Sequence, residues 1–190
     1  MYHAILSIVL IRGAVMNILV VMGSARPNSA GNNVAPLVDE ALKAAGNSVE
    51  MVHPADLNLP FFNAPTTPSA PDYAPTDKNV IAWTQQVSDA DAVVLLTPEY
   101  NGGPSAIQKN AIDWVYGPWE NKPVVMIGYG WYEPSRVHES LKLALNVVKA
   151  KQGEHVQLQF GKDLEMDGTV KDAEATTTKL SQAIASIAAS

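Results

Sequence analysis

The chain has 190 residues, 47% of them hydrophobic and 17% charged, and its thirteen basic and nineteen acidic side chains leave a net charge of −6. That is the size of one domain with a core of its own, and it excludes a disordered or fibrous protein. Mild acidity without a basic run argues against nucleic-acid or anionic-membrane binding, and with no cysteine there is no disulfide, thiolate metal site or cysteine nucleophile, so redox chemistry would need a borrowed cofactor.

Residues 1–15 (MYHAILSIVLIRGAV) stand apart from the rest. Their apolar stretch, 4–11, is far shorter than the ~20 residues that span a bilayer. Its basic neighbour, Arg12, follows the stretch, whereas a signal peptide carries its charge first. Met16 begins MNILVVMGSA, a natural start for a first strand. Residues 1–15 are therefore expected to be an N-terminal extension outside the fold, with an added strand or an oligomer contact as alternatives, and 16–190 to form the domain.

Residues 17–22 (NILVVM) are a continuous apolar run ended by Gly23, the pattern of a strand buried on both faces. Val34, Leu37, Val38, Ala41, Leu42 and Ala45 recur at helical spacing, with Gly46 as the stop. Residues 48–53 alternate as a second strand. Residues 60–76 (PFFNAPTTPSAPDYAPT) read as a long surface loop, a length that in compact domains marks a lid or a disordered segment. Asp77 caps a predicted helix carrying Val80, Ile81, Trp83, Thr84 and Val87. Then follow a third strand (92–97), a helix (105–115), a fourth strand (123–128), a helix (135–150), a fifth strand through Val156, Leu158 and Phe160, and a last helix (172–189).

Alternation of five strands with five helices predicts an α/β fold, a doubly wound five-stranded parallel sheet with helices on both faces. In the order 2-1-3-4-5 the strand order reverses between strands one and three, so a ligand belongs beyond their carboxyl ends. The loop after strand one is 23–33 (GSARPNSAGNN), which offers hydroxyls, amides, the Arg26 guanidinium and the N–H groups of a helix start. No acidic residue occurs from 17 to 38, so the local field suits a phosphate, although Ser and Asn also cap ordinary strand–helix turns. The loop lacks both the Lys-Ser/Thr ending of a P-loop and G-x-G-x-x-G, which points to a mononucleotide phosphate without hydrolysis. The loop after strand three, 97–104 (TPEYNGGP), has glycines that let backbone approach a flat ligand, or that simply turn the chain into the next helix. The aromatic group Tyr129, Trp131 and Tyr132 after strand four reads as a lid, a core corner or a subunit contact.

These residues resemble the NAD(P)H-dependent FMN reductase family, a flavodoxin-like group that includes quinone, azo-dye and chromate reductases. The resemblance runs from about Met16 to Ala150. It is carried by G-S-x-R at Gly23, Ser24 and Arg26, by T-P-E-Y-N-G at 97–102, by K-N-A-I-D-W at 109–114, and by K-P-V and Y-G at 122–124 and 129–130. It implies that Ser24, Arg26, Ser29, Asn32 and Asn33 hold the FMN phosphate. It implies further that Pro98, Glu99, Tyr100, Asn101 and Gly102 line the isoalloxazine, largely through backbone, with Tyr129 and Gly130 at its other edge. Lys109, Asp113 and Trp114 are expected to be structural, as a buried ion pair, core packing or a dimer interface. The chain departs from the pattern after Tyr129-Gly130: relatives often continue with two glycines, where Trp131, Tyr132, Glu133 and Pro134 stand here.

The resemblance implies a cytoplasmic homodimer or homotetramer with NADPH or NADH as hydride donor. A small-molecule acceptor (free flavin, quinone, azo compound or metal oxyanion) would take the electrons. No side chain need act as a nucleophile, because the flavin carries the chemistry. His3, His53, His138 and His155 are scattered and are expected at the surface or in structural roles, with no metal site. Asp56, Asp72 and Asp77 are expected to be solvated around the proline-rich loop, while Phe61 and Phe62 either cover the flavin or pack on a partner subunit. The alternatives in other classes are a flavodoxin-like electron carrier without nicotinamide turnover and a binding module that has lost flavin.

Overall fold

A computed structural model describes residues 15–132 and 134–188. The expectation for residues 1–15 thus falls, apart from Val15, outside the described residues, as do His3 and Glu133.

The elements follow the chain as β1 (Asn17–Met22), α1 (Gly31–Ala44), β2 (Ser48–Val52), α2 (Lys78–Asp89), β3 (Ala92–Pro98), α3 (Ala106–Asp113), a short 3-10 turn at Gly117–Trp119, β4 (Pro123–Gly130), α4 (Ser135–Val147), β5 (Lys151–Gln152), β6 (Val156–Gln159) and α5 (Ala173–Ala188). All strand pairs are parallel and the order is β2-β1-β3-β4-β5, with β6 also beside β4. This is the doubly wound parallel sheet predicted from the alternation, in the flavodoxin-like order.

Buried parallel strands send successive side chains to two separate cores. Ile18, Val20 and Met22 of β1, Ala92, Val94 and Leu96 of β3, and Val125, Ile127 and Tyr129 of β4 pack with α1 and α5. Leu19, Val21, Val93, Leu95, Val124 and Met126 pack on the other face with α2, α3 and α4. Side-chain caps fix the starts of α2, as predicted, and of α3. Asp77 Oδ1 accepts from the N–H of Asn79 (2.8 Å) and Val80 (3.1 Å), and Ser105 Oγ accepts from Gln108 N–H (3.2 Å). Asp77 is thus a helix cap and, like Asp56 and Asp72, is exposed.

The fifth strand position departs from expectation because it is split. Val124 pairs with Gln152, but Ile127 pairs with Val156, one residue out of register with the first pairing. The intervening bulge holds Gly153, where a Cβ would lie 2.5 Å from Ser186 Oγ of α5, so a larger residue there would have to displace that side chain. Among the described residues no helix is long and apolar enough to cross a membrane. The loops leaving β1, β3 and β4 share one edge of the sheet, since Met22 pairs with Leu96 and Pro98 with Tyr129.

Candidate functional site

The site is assembled on that carboxyl edge. At the end of β1 the Gly23 N–H donates to Leu96 O at 2.7 Å. A Cβ on Gly23 would stand 2.6 Å from Pro98 Cδ and 2.8 Å from Leu96 O. Ser105 Oγ donates to Gly23 O from the start of α3. Gly23→Ala is therefore expected to destabilise the fold by about 1–3 kcal/mol through overpacking against backbone, read as a lower urea midpoint; an unchanged midpoint would remove the steric account of this glycine.

Past Gly23 the first loop is held from both sides. Ser24 is buried, its Oγ shares a hydrogen bond with the Tyr100 hydroxyl (2.9 Å) and accepts from Arg26 N–H (3.2 Å). Ser29 is buried, shares a hydrogen bond with the Tyr129 hydroxyl (2.9 Å) and accepts from Gly31 N–H (3.3 Å). Asn32 Nδ2 donates to Pro27 O and Asn33 Nδ2 to Asp167 O, each at 2.9 Å, so both amides brace the loop. Arg26 is exposed and has no carboxylate partner among the described residues. Helix α1 starts without a side-chain cap on Ala30 and without an acidic residue in its first turn, which leaves its positive end uncompensated.

The second loop is a tight turn. Asn101 (φ 54°) and Gly102 (φ 81°) are both left-handed, and Tyr100 and Gly103 exchange backbone hydrogen bonds of 2.9 and 3.1 Å. Asn-Gly suits this geometry because asparagine tolerates, and glycine readily adopts, positive φ. Pro98 is buried as the last residue of β3. Glu99 N–H donates to Tyr129 O (3.0 Å), and Glu99 Oε2 accepts from Val137 N–H at the start of α4 (3.4 Å).

Tyr129 and Gly130 depart from their predicted setting. The sequence reading ends the fourth strand at residue 128, but β4 continues through Gly130, because Glu99 N–H and Phe160 N–H bond to the Tyr129 and Gly130 carbonyls from its two neighbours. Tyr129 is 4% exposed and enters the core beside α1. Burial pushes its phenol up to about 12, against the opposing Ser29 hydrogen bond, so at neutral pH it is an uncharged partner for Ser29. Of the lid, core corner and subunit contact, Tyr129 is the core corner. Trp131 and Tyr132 are exposed, the former with its ring centroid 5.4 Å from that of Phe160.

The proline-rich loop is anchored by the K-N-A-I-D-W motif, a role the sequence reading missed. Asn110 Nδ2 (2.9 Å) and Trp114 Nε1 (2.7 Å) both donate to Pro60 O, and Asn110 Oδ1 accepts from Phe62 N–H (2.8 Å). Asn110 and Trp114 are i,i+4 neighbours, so a shared face was a signal that existed. Trp114 packs in the core, but the Lys109–Asp113 ion pair (2.6 Å) is not buried, its side chains being 45% and 37% exposed. Between the loop and Trp114 lies a cavity of about 340 Å³, lined by Pro60, Tyr73, Thr76 and Trp114 among others. Phe61 is exposed on the loop, and Phe62 meets Trp114 edge-on with ring centroids 5.0 Å apart.

A doubly wound sheet with an acid-free, Ser- and Arg-bearing loop at its switch point defines the class: a flavodoxin-like protein, with a polar loop after β1 and a left-handed turn after β3. The family model described as NADPH-dependent FMN reductase matches residues 16–165. An NAD(P)H-dependent FMN reductase of Schizosaccharomyces pombe is 31% identical, with 87% of this chain and 84% of that protein covered. A 2-hydroxy-1,4-benzoquinone reductase of a Burkholderia species is 31% identical over 60% of each chain. Among solved structures, the flavoenzyme NAD(P)H:(acceptor) oxidoreductase FerB of Paracoccus denitrificans superposes with a TM-score of 0.73 at 25% identity, covering 92% of this chain and 96% of that one. The chain belongs to the NADPH-dependent FMN reductase family, a family of oxidoreductases whose cofactors are FMN and a nicotinamide dinucleotide.

Proposed function

We propose that this chain is an FMN-dependent oxidoreductase that takes hydride from NAD(P)H and passes electrons to a small-molecule acceptor: free flavin, a quinone, an azo compound or a metal oxyanion. A relative named as a benzoquinone reductase favours the quinone class. The observation that carries the reading is the junction of the two loops, in which Ser24 of the first loop is bonded to Tyr100 of the second while Arg26 beside it has no carboxylate partner among the described residues.

The residues fit a flavin mononucleotide. Ser24, Arg26, Ser29, Asn32 and Asn33 would hold its phosphate: the guanidinium and the helix start supply charge, the hydroxyls supply donors, and the two asparagines keep the loop in shape. Pro98, Glu99, Tyr100, Asn101 and Gly102 would lie against the ring system through backbone, which the left-handed turn makes accessible. Gly130, where a Cβ would sit 3.1 Å from Glu99 Cβ, keeps that turn close to β4, and Tyr129 acts on the cradle through Ser29. Bound FMN supplies two-electron redox chemistry, and the protein's part is orientation, charge and access. The same reading makes the protein a cytoplasmic homodimer or homotetramer, with residues 1–15 outside the catalytic domain and no nucleic-acid or membrane partner.

Arg26→Ala is expected to weaken FMN binding by about 1.5–3 kcal/mol, the range for hydrogen bonds to charged groups, with the urea midpoint unchanged because the side chain is exposed. Fluorescence titration of FMN reads the affinity, and equal affinity in variant and parent would remove the phosphate from this loop. The FMN-loaded protein should bleach anaerobically on addition of NADPH or NADH. FMN binding without bleaching would make the protein an electron carrier, and absence of binding would refute both.

A further inference from the structure

Besides Arg12, which lies outside the described residues, the chain has two arginines, Arg26 and Arg136. Both are exposed, and among the described residues neither is in an ion pair, whereas Lys43, Lys109, Lys142, Lys149, Lys171 and Lys179 each have a carboxylate partner. The two arginines bracket the 100–103 turn. On one side Ser24 links the Arg26 backbone to the Tyr100 hydroxyl. On the other, Arg136 Cδ and Cβ would be 3.6 and 3.8 Å from a Cβ on Gly102. Arg136 stands in the first turn of α4, where the helix field disfavours a cation, and the nearby Glu99 carboxylate is bonded to Val137 N–H and not to the guanidinium. Among the described residues, neither helix stability nor a salt bridge accounts for an unpaired guanidinium at this place.

FMN carries one phosphate, which Arg26 answers. A nicotinamide dinucleotide brings further phosphates to the same edge, against a protein whose net charge is −6. We propose that Arg136 is a specificity-determining residue that holds the 2′-phosphate of NADPH, so that the chain prefers NADPH to NADH. This rests on the proposed function for bringing the nicotinamide donor to the edge. The chemistry is that of a planar fork meeting a dianion, which gives paired charge-assisted hydrogen bonds. An arginine serves the 2′-phosphate in the same way in other dinucleotide-binding α/β folds. The pyrophosphate, common to both donors, could take the same contact, so comparing the donors distinguishes the two sources.

The test uses the full chain and its Arg136→Ala and Arg136→Lys variants. Calorimetric titration with adenosine 2′,5′-bisphosphate, with 5′-AMP as the control, reads the phosphate contact without turnover. Wild type is expected to bind the bisphosphate about 10- to 100-fold more tightly than Arg136→Ala, with Arg136→Lys between them and 5′-AMP affinity the same in all three. Stopped-flow reduction of the FMN-loaded protein should show the same rise in the apparent NADPH dissociation constant, with the limiting rate, the NADH constant and the FMN affinity unchanged. Equal bisphosphate affinity in wild type and Arg136→Ala overturns the assignment, as does an equal rise for NADH and NADPH, which would mean a pyrophosphate contact. Loss of bisphosphate binding with no bleaching of wild type by either donor supports the arginine's role and sinks the proposed function instead.

Discussion

Replacing Trp114 with alanine is expected to cost about 3–5 kcal/mol of stability, the range for removing a buried large aromatic. The indole is 5% exposed, so its loss leaves a cavity at the end of α3 in the core shared with α2 and α4. It also removes the 2.7 Å bond to Pro60 O and the edge-on contact with Phe62, and thereby loosens the proline-rich loop. Asn110→Ala separates the two effects. It removes the bonds to Pro60 O and from Phe62 N–H but leaves the indole in place, so loop release is expected at a smaller cost of about 1–3 kcal/mol. Urea unfolding gives the stabilities, and chymotryptic cleavage at Phe61, Phe62 or Tyr73 reports the loop. Trp114→Ala with parental stability would show that the core closes without the indole. Asn110→Ala with parental protease resistance would show that the loop is held elsewhere.

Acidification from pH 7 to about pH 4 should cost up to about 3 kcal/mol through one side chain, His138. It is 2% exposed, its Nε2 has no hydrogen-bond partner among the described residues, and the ring lies so close to β4 that a Cβ on Gly128 would be 2.6 Å away. The His155 ring is 5.2 Å off, centroid to centroid. Burial lowers the His138 pKa to about 4, helped by the nearby His155 and Lys142 and opposed by Glu139. His155 is lowered as well, again chiefly by burial. The unfolded chain takes up a proton at His138 below its ordinary value of about 6.5, while the folded chain resists until about 4. The contribution is therefore complete above pH 6.5 and is lost as pH falls from there toward 4, by about 1.4 kcal/mol for each unit of the difference. Urea unfolding of wild type and His138→Gln at pH 7 and pH 4.5 measures it. Carboxylates elsewhere act alike in both proteins, so the variant is expected to lose about 2–3 kcal/mol less on acidification. Equal losses would mean that the buried imidazole does not set this pH dependence.

The two cases also mark where sequence reading stops. His138 and His155 look scattered along the chain, and only the crossing of α4 over the bulge between β5 and β6 brings their rings together. The bulge was itself unreadable, since the sequence shows only one glycine ahead of an alternation. The end of β4 was misplaced for a related reason. Glycines at residues 128 and 130 read as a turn, yet backbone partners on both sides carry the strand through them. By contrast, the motif at 109–114 could be seen but not its purpose, because Pro60, which Asn110 and Trp114 hold, lies in a loop without periodicity.

What the amino-acid order determined alone is the α/β alternation, the parallel sheet and the two loops at its switch point. These rest on local patterns: apolar runs too short for helices, helical spacing between them, a cap at Asp77, and turn residues after each strand. The tertiary structure alone decided which of those loop residues meet. Ser24 reaches Tyr100 across 76 positions and Ser29 reaches Tyr129 across 100, which turns a predicted turn tyrosine into a buried support for the first loop. The physical reason is that periodicity records only whether a residue faces the core or the solvent. Partners so far apart in the chain are chosen by strand register and close packing, and no local spacing encodes them.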